Sequence, residues 1–263
     1  MLFRSAKTPA DLKEIPISIY TDEQLKALAE RAKTLHETTD YAVMAAFGGS
    51  VLEMGHKLRG WELFMEDLAE GGAFTKDLVQ GMVDKHLQNL ALYLEAVGDY
   101  VQIIQFGDDL GTQDRPQMSR RMYQKFIKPG HHALYHFVHE HSKCKVFLHS
   151  CGSITPLIPD LIECGVDILN PVQTSANNMA PEKLKTEFGD QLVFWGGGCD
   201  TQSVLSNANP EEVRAHVTER LQIFTPGSGF VFNQIHNIQA NVPPENIVAM
   251  YDTAREFELP FAG

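Results

Sequence analysis

The sequence predicts an α/β protein of the TIM (β/α)8-barrel type, short of one or more N-terminal strands. Three observations predict it. Short apolar runs alternate along the chain with amphipathic stretches of helical period. Those runs are apolar throughout, as strands of a parallel sheet covered by helices must be. The polar, in part glycine-rich segments GGS, GDD, HSCGS, NPVQ, GGGCDTQ and NQIHN each follow such a run. In a barrel these loops converge on one rim, whereas an open doubly wound sheet gathers only those at its switch point. Six chemically loaded strand ends favour the barrel.

Residues 1–38 read as an N-terminal segment, with IPISIY (15–20) extended and 22–35 helical, ahead of a barrel domain at 39–263. YAVMAAF (41–47) is the first strand and ends at Gly48-Gly49. Helical pattern follows over 51–58 and 61–69, then over a long stretch, 74–97. YVQIIQF (100–106) is the second strand and closes on Gly107-Asp108-Asp109. Residues 118–139 read as a helix that Pro129-Gly130 should kink or split. The strand KVFL (145–148) precedes a helix at 154–163, and VDIL (166–169) precedes one at 181–188. LVFW (192–195) leads to a helix at 210–224 with Pro210 in its first turn. GFVF (229–232) leads to the closing helix at 244–257. Six strands are too few for the topology. Either the barrel is incomplete, or a partner chain closes it, with a homodimer as one such arrangement, or further strands lie in 1–38 and 48–99.

The chain has 263 residues, with 22 Lys plus Arg against 34 Asp plus Glu, a formal net charge of −12. That balance argues against nucleic-acid and membrane-surface binding. The start, MLFRSAKTPADL, lacks a secretory apolar core, and no run approaches the ~18 residues of a membrane span. Cys144, Cys151, Cys164 and Cys199 are too sparse for a disulfide scaffold, so the expected setting is the cytoplasm. Neither a G-x-G-x-x-G fingerprint opening a helix nor a phosphate-binding loop is present.

The most specific local feature is His149-Ser150-Cys151. Residues i and i+2 of an extended strand point the same way, so an imidazole and a thiol arrive side by side, a pair suited to Zn²⁺. The bland alternative is a packed cysteine beside a histidine bonded to a carbonyl. Cys199 and His236 lie beyond two later strands, which makes His149, Cys151, Cys199 and His236 the candidate pool for three metal ligands. Cys144 and Cys164 fall at the opposite rim and read as structural. Asp108, Asp109 and Asp200 sit on the loaded rim with Gln234 as candidate catalytic groups, and Glu53, Asn170 and Gln173 as candidate substrate contacts. Asp108 and Asp109 cannot both face inward, so one is expected to cap a segment while the other faces the pocket. His131, His132, His136, His139 and His141 read as a solvated or core-edge helix face rather than a metal cluster.

From about Thr39 onward the chain resembles the uroporphyrinogen decarboxylase superfamily. The resemblance rests on GDDLGTQ (107–113), FLHSCGSITPLIPDLIECGVDILNPVQ (147–173), FGDQLVFWGGGCDTQ (188–202) and GFVFNQIHNIQANVPPENIVAM (229–250). It implies a (β/α)8 barrel and one of two chemistries. Decarboxylases of the superfamily act on a tetrapyrrole without a cofactor, using an N-terminal arginine motif that is not seen here. Corrinoid-dependent methyltransferases include zinc enzymes with an H-x-C pair plus a later Cys. His149 and Cys151 match that pair, while the later Cys falls at His236. The resemblance therefore implies a zinc-dependent methyltransferase working on a small-molecule methyl donor or acceptor. Its cobalamin would be supplied by a corrinoid partner protein. A metal-free carboxy-lyase and a non-catalytic homologue are the alternatives.

Overall fold

The computed structural model describes residues 3, 5–6, 8–12 and 14–258. Among them six strands form one sheet in the order β1 (Met44–Gly48), β2 (Ile103–Gly107), β3 (Lys145–His149), β4 (Ile168–Asn170), β5 (Val193–Trp195) and β6 (Phe230–Val231). β1 with β2, β4 with β5 and β5 with β6 pair in parallel, Met44 facing Ile103, Ile168 facing Val193 and Phe194 facing Phe230. Spatial order equals sequence order and every crossover carries helix, which is the TIM-type progression stopped at six strands. β1 and β6 end the order, so the sheet is not closed.

All six expected strands form, each within three residues of its expected bounds. Residues 15–20 form neither helix nor paired strand, so among the described residues of 1–38 no further strand forms. A side chain takes the place of a neighbouring strand. The Tyr20 N–H donates to Asn89 Oδ1 (2.9 Å) while Asn89 Nδ2 donates to Ser18 O (2.9 Å). No further strand lies in 48–99 either.

Two compact units are distinguished by their internal contacts. One comprises Met1–Asp109, Met118–Leu148 and Leu157–Val166. It holds α1 (Asp22–Thr38), α2 (Leu52–Arg59), α3 (Trp61–Glu70), α4 (Ala73–Val97), α5 (Arg120–Met122), α6 (Lys128–His141) and α7 (Ile158–Glu163). α1 starts at a capping box, with Thr21 accepting from the Gln24 amide and Gln24 from the Thr21 amide. α4 is the central helix here, burying Leu78, Met82 and Leu90 as it packs on α1 and α6.

The kink or split expected near Pro129 takes the form of a change in helix type just before it. Tyr123–Ile127 forms a π turn, with the Lys128 amide bonded to Tyr123 O, and α6 continues from it. Proline lacks an N–H, and its ring collides with the carbonyl four residues back in a regular α-helix. The wider turn just before Pro129 absorbs that conflict without ending the helix.

The other unit comprises Leu110–Gln117, His149–Pro156 and Asp167–Gly263. It holds α8 (Pro181–Phe188), α9 (Pro210–Phe224) and α10 (Pro244–Glu256). Asn209 caps α9 by accepting the Glu211 and Glu212 amides, and Pro210 fills its first turn as expected. Val213, Val217 and Leu221 of α9 meet Ala249 and Met250 of α10 in a core that also takes Cys199 and Leu205. Among the described residues no helix is long and apolar enough to cross a membrane.

Candidate active site

β3 delivers His149 at its last position, and the chain turns through Ser150 to Cys151. His149 Nε2 and Cys151 Sγ lie 3.4 Å apart, so the side-by-side delivery expected of an H-x-C pair is realised. The rest of the imidazole is fixed from β4 and β5. Asn170 Nδ2 donates to Trp195 O (2.7 Å), which turns Asn170 Oδ1 toward His149 Nδ1 at 2.6 Å. Only a protonated Nδ1 can make that contact with a carboxamide oxygen, so in the neutral ring the lone pair lies on Nε2, which faces the thiol. The ring is thus held in the tautomer that a metal or a proton on sulfur requires.

The backbone around the pair is equally constrained. The Ser150 N–H donates to Asn170 O (2.7 Å), Ser150 Oγ accepts the Leu110 amide (3.0 Å), and the Ser153 amide bonds Thr112 O (2.8 Å). The two loops run so close that a Cβ on Gly152 would lie 2.6 Å from both Gly111 C and Thr112 O. Gly152 also has φ +89°, which favours glycine independently. The glycine after H-S-C therefore permits loop-on-loop contact.

Gln173 is half-buried and continues the site from the loop after β4. Its Oε1 accepts the Gly152 amide (2.9 Å) and its Nε2 donates to Gln113 Oε1 (2.9 Å). Asp109 is half-buried and directly precedes the Leu110 that Ser150 anchors. Asp109, His149 and Cys151 form a candidate metal-holding set among the described residues, one that includes neither Cys199 nor His236. Cys199 is fully buried in the α9–α10 core, where burial first and Asp200 second push its thiol up to about 12. His236 is exposed beside an open pocket. Cys144 and Cys164 are buried as expected of structural thiols, each with a sulfur contact to a backbone carbonyl, Val101 O and Lys128 O respectively.

Of the two adjacent aspartates, Asp108 is the one that caps, and it does so far from its own place in the chain. Asp108, 1% exposed, caps a helix that precedes it by more than fifty residues. Its Oδ2 accepts the amides of Val51 (2.9 Å) and Leu52 (2.8 Å), its Oδ1 that of Glu53 (2.9 Å), all at the start of α2. His131 Nε2 lies 3.0 Å from Oδ2, and Tyr123 Oη contacts the other ring nitrogen of His131 at 3.0 Å. Burial raises the Asp108 carboxyl, but His131 and the α2 amides outweigh it and hold it below the usual range. The Glu53 side chain is exposed at the start of α2. Asp200 is buried, with Oδ1 accepting the Gln202 amide (2.8 Å) and Oδ2 the Ser203 hydroxyl (2.5 Å). Gln234 bridges in parallel to Cys199, and its Oε1 accepts from Tyr251 Oη (3.2 Å).

His131 corrects the reading of the histidine-rich helix. His132, His139 and His141 are exposed, as a solvated face requires, but His131 is fully buried. A signal was available. His131, Leu134, Tyr135 and Val138 fall at i, i+3, i+4 and i+7, the stripe of an inward helix face, and all four are buried.

Fold and site together define a TIM-type barrel protein whose strand ends carry an enzyme-like donor set. The profile of the Uroporphyrinogen decarboxylase (URO-D) family matches residues 2–257, and the chain belongs to that family. It is 35% identical over 77 residues to the uroporphyrinogen decarboxylase of Psychromonas ingrahamii, covering 29% of this chain and 21% of that protein. It is 23% identical over 247 residues to the one from Magnetococcus marinus, covering 89% of this chain and 64% of that protein. A solved structure, a methyltransferase from Methanosarcina mazei, shares the fold with a TM-score of 0.69 at 19% identity, over 93% of this chain and 69% of that one. The chain therefore spans less than two thirds of the length of these curated relatives.

Proposed function

We propose that the protein is a zinc-dependent methyltransferase, moving a methyl group between a small molecule of methoxy, methylamine or thiol type and a corrinoid held by a separate protein. The observation that carries this reading is the His149–Cys151 pair at 3.4 Å, with Asn170 Oδ1 fixing the ring through Nδ1. A neutral imidazole and a sulfur form a borderline-soft donor pair that fits zinc. Asp109 is the third donor in this reading, in place of Cys199 or His236. Zinc so held would supply Lewis acidity, lowering the pKa of a thiol acceptor or polarising a methyl donor.

Around it the chain's own groups have distinct duties. Asn170 keeps the His149 proton on Nδ1, and Gln173 pins the loop behind Cys151 through the Gly152 amide. Asp108 fixes the start of α2 and so places Glu53 for substrate contact. Asp200 shapes the loop after β5, with Gln234 beside it. In this reading the corrinoid protein docks on this rim and the setting is the cytoplasm.

The test is zinc analysis of wild-type, His149→Ala and Cys151→Ala protein after metal-replete expression, with methylcobalamin-to-thiol transfer followed by absorbance. Stoichiometric zinc lost in both variants, together with loss of transfer, is the expected result. Zinc-free wild-type protein would overturn the metal assignment. Turnover of uroporphyrinogen, undiminished in the variants, would overturn methyl transfer in favour of the decarboxylation for which the curated relatives are named.

A further inference from the structure

The histidine-rich helix carries a pair of rings that neither the core nor the His149–Cys151 site uses. α6 runs unbroken from Lys128 to His141, so His132 and His136, four residues apart, share one face. Their rings are stacked, with centroids 3.9 Å apart and planes 18° from parallel. His132 is exposed and His136 half-buried, so the pair opens to solvent.

The other three histidines of this helix show how selective the pairing is. His131 uses both ring nitrogens, one on Asp108 and one on Tyr123. His139 Nε2 lies 2.8 Å from Gly165 O, and His141 Nδ1 lies 2.9 Å from Phe137 O. The ring nitrogens of His132 and His136 have no hydrogen bond or ion pair among the described residues. No such bond therefore opposes rotation of either ring about its χ2 axis.

Neutral imidazole is a ligand for zinc, nickel and copper ions, whereas magnesium and calcium take oxygen donors. Two histidines at i and i+4 of a helix have the spacing that grips one such ion. With metal–nitrogen bonds of about 2.0–2.1 Å, the two nitrogens on one ion lie about 3 Å apart. A turn of the two rings out of their stack reaches that separation. The surroundings favour a cation, since the net charge is −12 and Glu140, one turn beyond His136, has no ion pair among the described residues. We propose that His132 and His136 form a second metal site, chelating a divalent transition ion across one turn of α6. No third histidine, cysteine or carboxylate joins the pair among the described residues. Water completes the coordination sphere, so this site gives up its ion to a chelator before a three-donor set does.

Nickel is the probe, because Ni²⁺ binds imidazole and leaves thiols unoxidised. The background is Cys151→Ala, which removes the other donor pair. In equilibrium dialysis at micromolar Ni²⁺ this protein should take up one equivalent, with a rise in melting temperature. Adding His132→Ala or His136→Ala should weaken the binding at least about tenfold, because a single imidazole loses the chelate. Adding His139→Ala should leave it unchanged, and Mg²⁺ should not compete. Uptake well below one equivalent, unchanged affinity in both the His132→Ala and His136→Ala proteins, or an equal loss in His139→Ala would overturn the proposal. Zinc bound by wild-type protein through His149 and Cys151 reports on a different set of donors, so either assignment can fail without the other.

Discussion

Replacing Asp108 tests the architecture most directly. Its carboxylate accepts three backbone amides at the start of α2 and faces His131 Nε2, all in a site with 1% exposure. Water does not reach the orphaned donors, so Asp108→Ala leaves three N–H groups and an imidazole nitrogen without their acceptor. Hydrogen bonds to charged groups contribute about 1.5–3 kcal/mol each, but they act here as one unit and do not sum. Removing one side of a buried pair costs about 3–5 kcal/mol, a large part of a typical stability of about 5–15 kcal/mol. Asp108→Asn keeps one carbonyl oxygen and should lose roughly half as much, which makes it the measurable variant. Urea unfolding followed by the fluorescence of Trp61 and Trp195 gives the difference from the midpoint and slope. Because the folded carboxyl titrates low, its contribution is complete above the unfolded value of roughly 3.9 and is lost as pH falls through the lower folded value. The acid limb of wild-type stability below about pH 4 should therefore flatten in Asp108→Asn. A loss under about 1 kcal/mol with an unchanged acid limb would refute the reasoning.

Other outcomes follow from the same contacts. Asn170→Leu releases the His149 tautomer and should weaken zinc binding about 10- to 100-fold in a chelator competition, with little change in melting temperature. Gly152→Ala places a Cβ 2.6 Å from backbone atoms of Gly111 and Thr112 at a positive φ, and should cost about 1–3 kcal/mol in a thermal melt. Asp160 is buried, which raises its carboxyl, but Arg120, Lys128 and Gln124 bring it down to about 2. Its support of α5–α7 is therefore complete above roughly pH 4 and lost as pH falls through about 2. Asp160→Asn should weaken stability at neutral pH and reduce its fall over that acid window, as read by circular dichroism.

The strands were legible because a fully covered parallel strand is a continuous apolar run, and a polar segment follows each one here. The helices were legible from their period and from a start signal such as Pro210 in the first turn of α9. IPISIY (15–20) has strand composition but pairs with no strand, because its neighbour is the side chain of Asn89. Pro129 correctly marked a conflict in the helix, but local sequence does not say whether a helix breaks or widens. The His149–Cys151 pair could be found because strand geometry links i to i+2. The Asp108–His131 contact joins residues 23 positions apart, and its helix partners lie more than 50 positions upstream. Only the inward stripe through His131 hinted at it. Cys199 looked like a ligand because it follows a strand, yet it turns into the α9–α10 core.

The capping of α2 by Asp108 also has a dynamic consequence. The first amides of a helix ordinarily fray and exchange with solvent hydrogen on their own. Here the amides of residues 51–53 are fastened to the residue that follows β2, so they open only when that strand end opens. Their deuterium uptake should track that of the β2 backbone rather than that of the exposed helix surface around Trp61. The segment carrying Glu53 is consequently a fixed wall of the protein and not a flap that swings on its loop.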